Sequence, residues 1–355
     1  MTQNHFFSLN TRQHGTRVSR VKQENTTNAA IASLRIALKN YFSTYDVSKR
    51  YISIKGSTPN GEEETRLASY LSYQEKYLQT IFHFHHFLEL LIKDELRSIN
   101  PLLAVKLETD NAKSIMDLIQ RGVDSESINN QTVEFMVAVK RLKSLAGNDC
   151  EISIIVTKYL RVLTDLNTLR NRAWHRGTYI LLYSELDRFI GLNVLPCVLD
   201  FIENSQYKNT ERYWKYKLPK IGLDPINMIT KAVRKEKIDY SEVAFYKAIG
   251  LASYNIPTEY LTLGKRSQSP SERKANALIK GEGYEVLECF VCGKESLVSY
   301  REDDWDYDEN NLPTNGWWRI YELECEECGL KVDRNLRNPH EYGINIPDLW
   351  VGGEL

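Results

Sequence analysis

The segment Ile81-Phe-His-Phe-His-His-Phe-Leu-Glu-Leu-Leu-Ile-Lys-Asp-Glu-Leu96 decides the fold that we predict for this chain. Apolar residues occupy nearly every side of a helix drawn through it, so that helix must be surrounded by other elements. We therefore expect it to be the central helix of a bundle.

Helical periodicity extends outward from this segment, from Ala29 to Asn204, because apolar residues recur there at intervals of three and four. Short links between long helices imply antiparallel packing. The predicted helices span residues 29–42, 65–99, 102–121, 129–145, 152–176 and 178–204. Shorter helices are predicted over residues 224–236 and 241–253, and one more after Arg266-Ser-Gln-Ser-Pro-Ser-Glu272.

From Tyr284 onward the pattern changes to alternating, aromatic segments such as Leu297-Val-Ser-Tyr300 and Trp317-Trp-Arg-Ile-Tyr-Glu-Leu323, which are strand signals. The predicted fold class is thus mainly α: an antiparallel helical bundle, a helical connector and a small β module. We divide the 355 residues into a mobile arm at 1–28, the bundle at 29–205, a basic helical connector at 206–280, and the β module with its tail at 281–355.

The β module contains two Cys-x-x-Cys-Gly units, Cys289-Phe-Val-Cys292-Gly and Cys325-Glu-Glu-Cys328-Gly. Two-residue spacing lets a tight turn aim both sulfurs at one ion, and the glycine permits the backbone conformation of such a knuckle. The pattern resembles a zinc ribbon over about residues 284–335, with one structural Zn²⁺ bound per chain. Two unrelated dithiols and an iron–sulfur site are the alternatives, while Cys150 and Cys197 are expected to be buried packing residues.

Charge is distributed unevenly, although the net charge is only −1. Residues 281–355 carry 18 acidic and 6 basic side chains, a net charge of −12, and residues 1–280 carry +11. A basic body can attract RNA, or the two parts can dock on each other, and charge alone does not decide between them. The acidic insert Arg301-Glu-Asp-Asp-Trp-Asp-Tyr-Asp-Glu309 favours a protein partner for the ribbon over direct phosphate binding.

Residues 205–240 hold nine Lys and Arg against four Asp and Glu, interleaved with aromatics as in Tyr213-Trp-Lys-Tyr-Lys217. This pattern suits stacked bases, but it equally suits a packed connector whose lysines reach solvent, and we favour the connector.

Several classes of protein are excluded or unsupported. A hydrophobic fraction of 42% excludes a wholly disordered chain, and no apolar run is long enough to cross a bilayer. The N-terminus lacks the pattern of a secretory signal, so we expect a cytoplasmic protein without membrane partners. Phosphate-binding, dinucleotide-binding and nucleophile-elbow motifs are absent from the sequence.

The predicted helix over 152–176 has an apolar stripe that includes Val156, Leu163 and Leu166, and Arg170 falls within it. A cation thus occupies a place where a leucine would pack. An arginine paired with a buried carboxylate, or one that reaches past the apolar surface to solvent, would be the purely structural explanation.

Arg170-Asn-Arg-Ala-Trp-His175 matches an R-N-x-x-x-H pattern near the end of that helix, and Glu89-Leu-Leu-Ile-Lys93 lies on the central helix. Here the sequence resembles the HEPN superfamily of helical-bundle proteins over about residues 65–205. The resemblance implies a metal-independent endoribonuclease or nucleotide-binding toxin, a homodimer with the cleft between two bundles, and a role in toxin or antiviral defence. Glu89 needs a partner, and both Lys93 and Arg170 are candidates.

RNA can be cut without a metal when its 2′-hydroxyl attacks the adjacent phosphate, provided that a base and an acid move the protons. Histidine suits both roles near neutral pH, and Arg170 can hold the phosphoryl oxygens with a bidentate fork. One imidazole cannot do both in one step, so we expect a dimer that supplies a second His175. Asn171 would orient the ring or contact phosphate.

Two rival functions remain open: a non-catalytic nucleotide- or RNA-binding module with a ribbon for protein contacts, and a transcription-associated adaptor. His83, His85 and His86 cluster on the central helix without the spacing of helical zinc motifs, and we interpret them as structural.

Overall fold

A computed structural model of the chain describes residues 28–54, 61–106, 132–145, 151–176, 180–257, 268–281, 283–336, 338–346 and 348–355. The fold is mainly helical, with a small antiparallel sheet near the C-terminus, which confirms the predicted fold class at that level. Residues 1–27 of the arm predicted at 1–28, most of the helix predicted at 102–121, and Cys150 lie outside the described residues.

The helices have the following bounds: α1 Ala29–Ile54, α2 Gly61–Ala68, α3 Leu71–Ile99, α4 Phe135–Ser144, α5 Glu151–Arg176, α6 Tyr183–Phe189, α7 Leu195–Glu203, α8 Glu211–Trp214, α9 Pro225–Ala232, α10 Tyr240–Ser253 and α11 Pro270–Leu278. A π-helical turn, Ile190–Val194, makes α6 and α7 continuous.

Helix α3 contains the segment that sequence analysis placed at the centre, and it packs against α1, α4 and α5. Its residues Tyr77, Ile81, Phe84, Leu88 and Leu91 are buried, as expected for a helix that is apolar on most sides. Burial of each such side chain contributes about 1.5 to 3 kcal/mol relative to exposure. The central position of this helix follows from its sequence.

The prediction of one helix over 65–99 was wrong, because the chain breaks between α2 and α3. Tyr70 is extended, and the Ser69 hydroxyl donates to the Arg66 carbonyl, so side-chain bonding competes with the helix at this point. The break lets the Glu64 carboxylate accept a hydrogen bond of 2.8 Å from the Ser184 amide at the start of α6.

Three other helix limits differ from the prediction. Helix α1 continues well past residue 42, and α4 begins at Phe135 because Thr132 forms an isolated β-bridge with Val105. Helix α6 begins at Tyr183 instead of residue 178. At this start the Glu185 carboxylate accepts a hydrogen bond from the Leu182 amide. After α3, the chain makes only the 3₁₀ turn Pro101–Ala104 before the undescribed segment.

Helix α10 joins residues 206–280 to the bundle through a fully buried ion pair. The Lys247 ammonium contacts the Asp187 carboxylate of α6 and lies 4.5 and 4.4 Å from the ring centres of Tyr41 and Tyr183. Gly250 allows a close approach to α1, because a Cβ there would lie 2.8 Å from the ring of Phe42. The helical connector is therefore packed into the body of the protein.

The sheet is antiparallel with the order β1-β2-β3-β4, and β5 pairs with the outer part of β3. Its strands are β1 Glu285–Glu288, β2 Glu295–Tyr307, β3 Pro313–Cys325, β4 Lys331–Asp333 and β5 Gly352–Glu354. Buried residues lie in the inner half of the long β2–β3 hairpin, whereas its acidic tip is exposed.

The sheet contacts the helical body through apolar and polar groups. Phe290 stacks on Phe245 with ring centres 6.1 Å apart, and the Asn255 amide donates to the Cys328 carbonyl. Two acidic residues of this region, Glu288 and Glu326, pair with Lys220 and Lys274 of the body. None of the helices in the described ranges combines the length and apolar character needed to cross a bilayer.

Candidate functional site

The four cysteines that sequence analysis selected lie together at one end of the sheet. Their sulfur atoms are all within 4.8 Å of one another. The Cys289 and Cys328 sulfurs are 3.7 Å apart, as are the Cys292 and Cys325 sulfurs. Each close pair joins one Cys-x-x-Cys unit to the other, so both units contribute to a single possible metal site.

Both units form the same tight turn. The amides of Gly293 and Gly329 donate to the carbonyls of Cys289 and Cys325, at 2.8 and 2.9 Å. Their φ angles are +74° and +67°, a region that favours glycine. The predicted role of the two glycines is thereby confirmed.

Two of the sulfur–sulfur separations match those expected around a tetrahedral ion, and all of them are within 4.8 Å. Four thiolates about 2.3 Å from a central zinc would lie about 3.8 Å from one another. The observed 3.7 Å separations are close to that value. Cys289 also accepts a bond from the Val291 amide at 3.4 Å, and Cys325 lies 3.3 Å from the Ser296 hydroxyl. Such donors offset the negative charge of thiolates.

A second candidate site is a cleft of about 350 Å³ between α3, α4 and α5. Helix α5 contributes Asn167, Arg170 and Asn171, and α3 contributes His85 and Glu89. Glu134, Phe135 and Met136, around the start of α4, form the remaining wall. The structure thus brings Arg170, Asn171 and Glu89 into one cleft.

Arg170 is half-buried in this cleft, and its Nη1 donates to the Asn171 Oδ1 at 2.9 Å. Among the residues that the structure describes, Arg170 forms no salt bridge with a carboxylate. Its apolar neighbours on the stripe, Val156, Leu163 and Leu166, are buried. The explanation by a buried carboxylate partner therefore finds no support within the described part of the chain.

Glu89 pairs with Lys93 one turn along the same helix, at 2.5 Å between Oε1 and Nζ. Lys93 also donates to the Thr132 hydroxyl at 3.1 Å. Of the two candidate partners, Glu89 forms its ion pair with Lys93. The guanidinium of Arg170 instead bonds the Asn171 side chain.

His85 lies one turn before Glu89 and is buried in the wall of the cleft. Its Nε2 is 3.1 Å from the Asn167 Oδ1, its Nδ1 is 3.7 Å from a Glu89 oxygen, and its ring packs on Phe135. Burial lowers the pKa of His85, only partly opposed by the Asn167 hydrogen bond and the Glu89 charge. Burial therefore favours the neutral form of this imidazole.

Sequence analysis interpreted the three histidines alike, but the structure separates them. His85 faces the cleft, His86 bonds the Ser33 hydroxyl at 2.8 Å, and burial lowers the pKa of His83. The spacing of four between His85 and Glu89, and of three between Asn167 and Arg170, could have placed both pairs on common helix faces.

His175 lies in the last turn of α5, and its side chain lies outside the described residues. Its relation to Arg170 is therefore known only through the helix, on which it follows Arg170 by five positions. Among the aromatic residues of the connector, Tyr207, Trp214 and Tyr216 are buried, and these rings are not free to stack on bases. Tyr213 is 42% exposed, with the guanidinium of Arg212 4.5 Å from its ring centre.

Comparison of the chain with protein-family models, curated proteins and solved structures finds no match to any of them.

Proposed function

We propose that this protein is a metal-independent endoribonuclease of HEPN type, carrying a structural zinc ribbon at its C-terminal end. Its substrate would be cytoplasmic RNA, cut at a site that Arg170 and His175 form in a homodimer. The proposal joins the R-N-x-x-x-H pattern to the cleft between α3, α4 and α5.

The proposal is supported chiefly by the position of Arg170 and by its partners. The residue occupies an apolar stripe, lines a cleft, and forms no carboxylate ion pair within the described part of the chain. Burying part of a guanidinium without a counter-ion is costly unless an anion binds there. A phosphodiester supplies that anion, and the guanidinium fork matches its two oxygens.

In the proposed reaction, the 2′-oxygen of RNA bonds to the adjacent phosphorus and the bond from phosphorus to the 5′-oxygen breaks. A base accepts the 2′-hydroxyl proton, and an acid gives a proton to the leaving 5′-oxygen. The two imidazoles would be His175 and its counterpart in the second protomer. Arg170 would stabilise the charge that develops on the phosphoryl oxygens.

Asn171, Asn167 and His85 support this arrangement from within one protomer. The Asn171 amide oxygen bonds Nη1 of Arg170, and among the described residues no carboxylate takes up its other N–H groups, which would bond the phosphate. His85 bonds Asn167 and so holds the amide that borders Arg170. Lys93 pairs with the Glu89 carboxylate at the cleft wall and so offsets its repulsion of a phosphate.

The four cysteines would bind zinc, because four thiolates at these separations suit a tetrahedral ion and leave no open position for water. The metal would therefore be structural. Its binding would stabilise the fold of the sheet, because zinc binding contributes about 10 to 16 kcal/mol to the folding of small zinc peptides.

The test is cleavage of single-stranded RNA by purified dimer in EDTA, at a concentration that leaves the cysteine-bound metal in place by metal analysis. We expect 2′,3′-cyclic phosphate and 5′-hydroxyl ends. Arg170→Ala should reduce the rate about 10²- to 10³-fold, and His175→Gln about 10²- to 10⁴-fold.

Arg161→Ala is the matched control, because Arg161 lies on the same helix with a side chain that is 94% exposed. It should cut at the wild-type rate. Equal residual cutting by wild type, Arg170→Ala and His175→Gln would contradict the proposal. RNA binding without cutting by the wild-type dimer would instead indicate the non-catalytic binding module.

A further inference from the structure

One large apolar side chain next to the cleft remains exposed. Trp174 lies one turn after Arg170 on α5, and it is 64% exposed, whereas Trp214 and Trp350 are buried. Exposing an indole on a helix forfeits the free energy that its burial would provide. Trp174 occupies one of the variable positions of the R-N-x-x-x-H segment.

The indole is held in place despite its exposure. Its ring packs edge-to-face with Phe82 of α3, with centres 5.6 Å apart and an angle of 67° between the planes. The guanidinium carbon of Arg170 is 5.6 Å from the indole centre. An aromatic surface and a phosphate-binding cation are thus adjacent and mutually oriented.

That pairing is the combination by which proteins bind single-stranded nucleic acid: a cation follows the backbone and an aromatic ring stacks on a base. In a duplex the bases are already stacked and paired, and the deep major groove of RNA excludes side chains. Tyr207, Trp214 and Tyr216 of the basic connector are buried. The exposed connector ring of Tyr213 does not line the cleft, whereas Trp174 lies against Arg170, which does.

We infer that Trp174 stacks on an unpaired base next to the phosphate held by Arg170, so that the cleft selects single-stranded RNA. This inference rests on the proposed function, because it concerns the substrate class of the same site. An aromatic ring is required at position 174, whereas its identity as tryptophan is not, since every aromatic face can stack on a base.

The test uses a single-stranded oligoribonucleotide with 2′-O-methyl groups, which cannot be cut by attack of the 2′-oxygen, and the same strand in a duplex. Trp174→Ala should weaken binding of the single strand about 5- to 100-fold, as expected for loss of one base stack. Trp174→Phe should retain most of the affinity. Fluorescence quenching by the single strand should be larger in wild type than in Trp174→Phe.

Trp305→Ala is the matched control, because Trp305 is an exposed indole, 41% exposed, in the β2–β3 hairpin. It should bind both oligonucleotides as wild type does. Unchanged single-strand binding in Trp174→Ala would overturn the inference, and so would an equal loss of duplex binding. Thermal unfolding of each variant verifies that the fold is retained.

The two proposals fail in different ways. Binding that requires an aromatic at position 174, in a protein that cuts no RNA, would contradict the nuclease and support the stacking site. Cutting of RNA that is unaffected by Trp174→Ala, in both rate and affinity, would support the nuclease and overturn the stacking site.

Discussion

Arg170 of α5 and Glu89 of α3 are two charged residues with apolar neighbours, and both line the same cleft. Arg170 was recognised because it interrupts an apolar stripe, and Glu89 because it lies among apolar neighbours. That Glu89 pairs with Lys93 could be anticipated from the spacing of four. The contact between His85 and Asn167 joins residues 82 positions apart, and no local pattern predicts such a pairing.

The buried imidazole of His85 should make stability depend on pH. Its pKa is lower in the folded protein than its unfolded value of about 6.5, so the unfolded state binds the proton more tightly. Stability is then retained above pH 6.5 and is lost as the pH falls below it, by at most about 1.4 kcal/mol per pH unit for one proton. The charges of Glu89, Arg170 and His86 act on this ring, and Glu134 before α4 lines the same cleft.

Urea unfolding at pH 7 and pH 5 measures this effect. We expect the wild type to lose more stability between these pH values than His85→Gln, which has no proton to bind at that position. An equal loss in both proteins would show that His85 contributes nothing to the acid sensitivity.

At the scale of elements, periodicity predicted the long helices and strands, and local competition decided their ends. The Ser69 hydroxyl bonds a nearby backbone carbonyl at the end of α2, and the Glu185 carboxylate bonds a backbone amide at the start of α6. Both helix limits fall at places where the apolar pattern of the sequence continues. The cysteine turns were predicted in detail because their spacing and glycines fix the local geometry. The packing of α10 against α1 and its ion pair with α6 were not predicted, since they depend on long-range contacts.

The ion pair between α10 and α6 provides a test of that packing. Lys247→Ala should destabilise the protein by about 3 to 5 kcal/mol, because it leaves the Asp187 carboxylate buried without its counter-ion. The double substitution Lys247→Met with Asp187→Leu should recover most of this loss, since an apolar pair replaces an ionic one. Urea unfolding of the single and double variants measures both; a single variant as stable as wild type would contradict the packing.

At the scale of the whole molecule, the acidic C-terminal part and the helical body share one hydrophobic cluster. Some of their opposite charges form ion pairs with each other, such as Lys220 with Glu288 and Lys274 with Glu326. Docking of the two parts therefore accounts for some of the uneven charge. The exposed acidic residues at the tip of the β2–β3 hairpin remain outside those pairs and are where we would place a protein partner.

Metal analysis of the wild type and of a cysteine variant tests whether the four cysteines of the sheet bind a metal. We expect one zinc per chain in the purified reduced protein and its loss in Cys325→Ser, with a lower unfolding temperature because metal binding stabilises the ribbon. Cys197→Ala is the control, since Cys197 is buried in α7, away from the four-cysteine group, and should leave the zinc in place. Intact reduced protein without bound metal would contradict the site.

In the function that we propose, Arg170 stabilises attack by the 2′-hydroxyl on an RNA phosphate. The most direct measurement is the rate of cutting, in EDTA with the zinc retained, of an RNA strand and of the same strand with one 2′-deoxy nucleotide immediately 5′ of the cut. We expect cutting of the first strand and none at the deoxy linkage, with the rate on the first reduced at least 100-fold by Arg170→Ala. Cutting at the deoxy linkage, or an unchanged rate in Arg170→Ala, would contradict the claim.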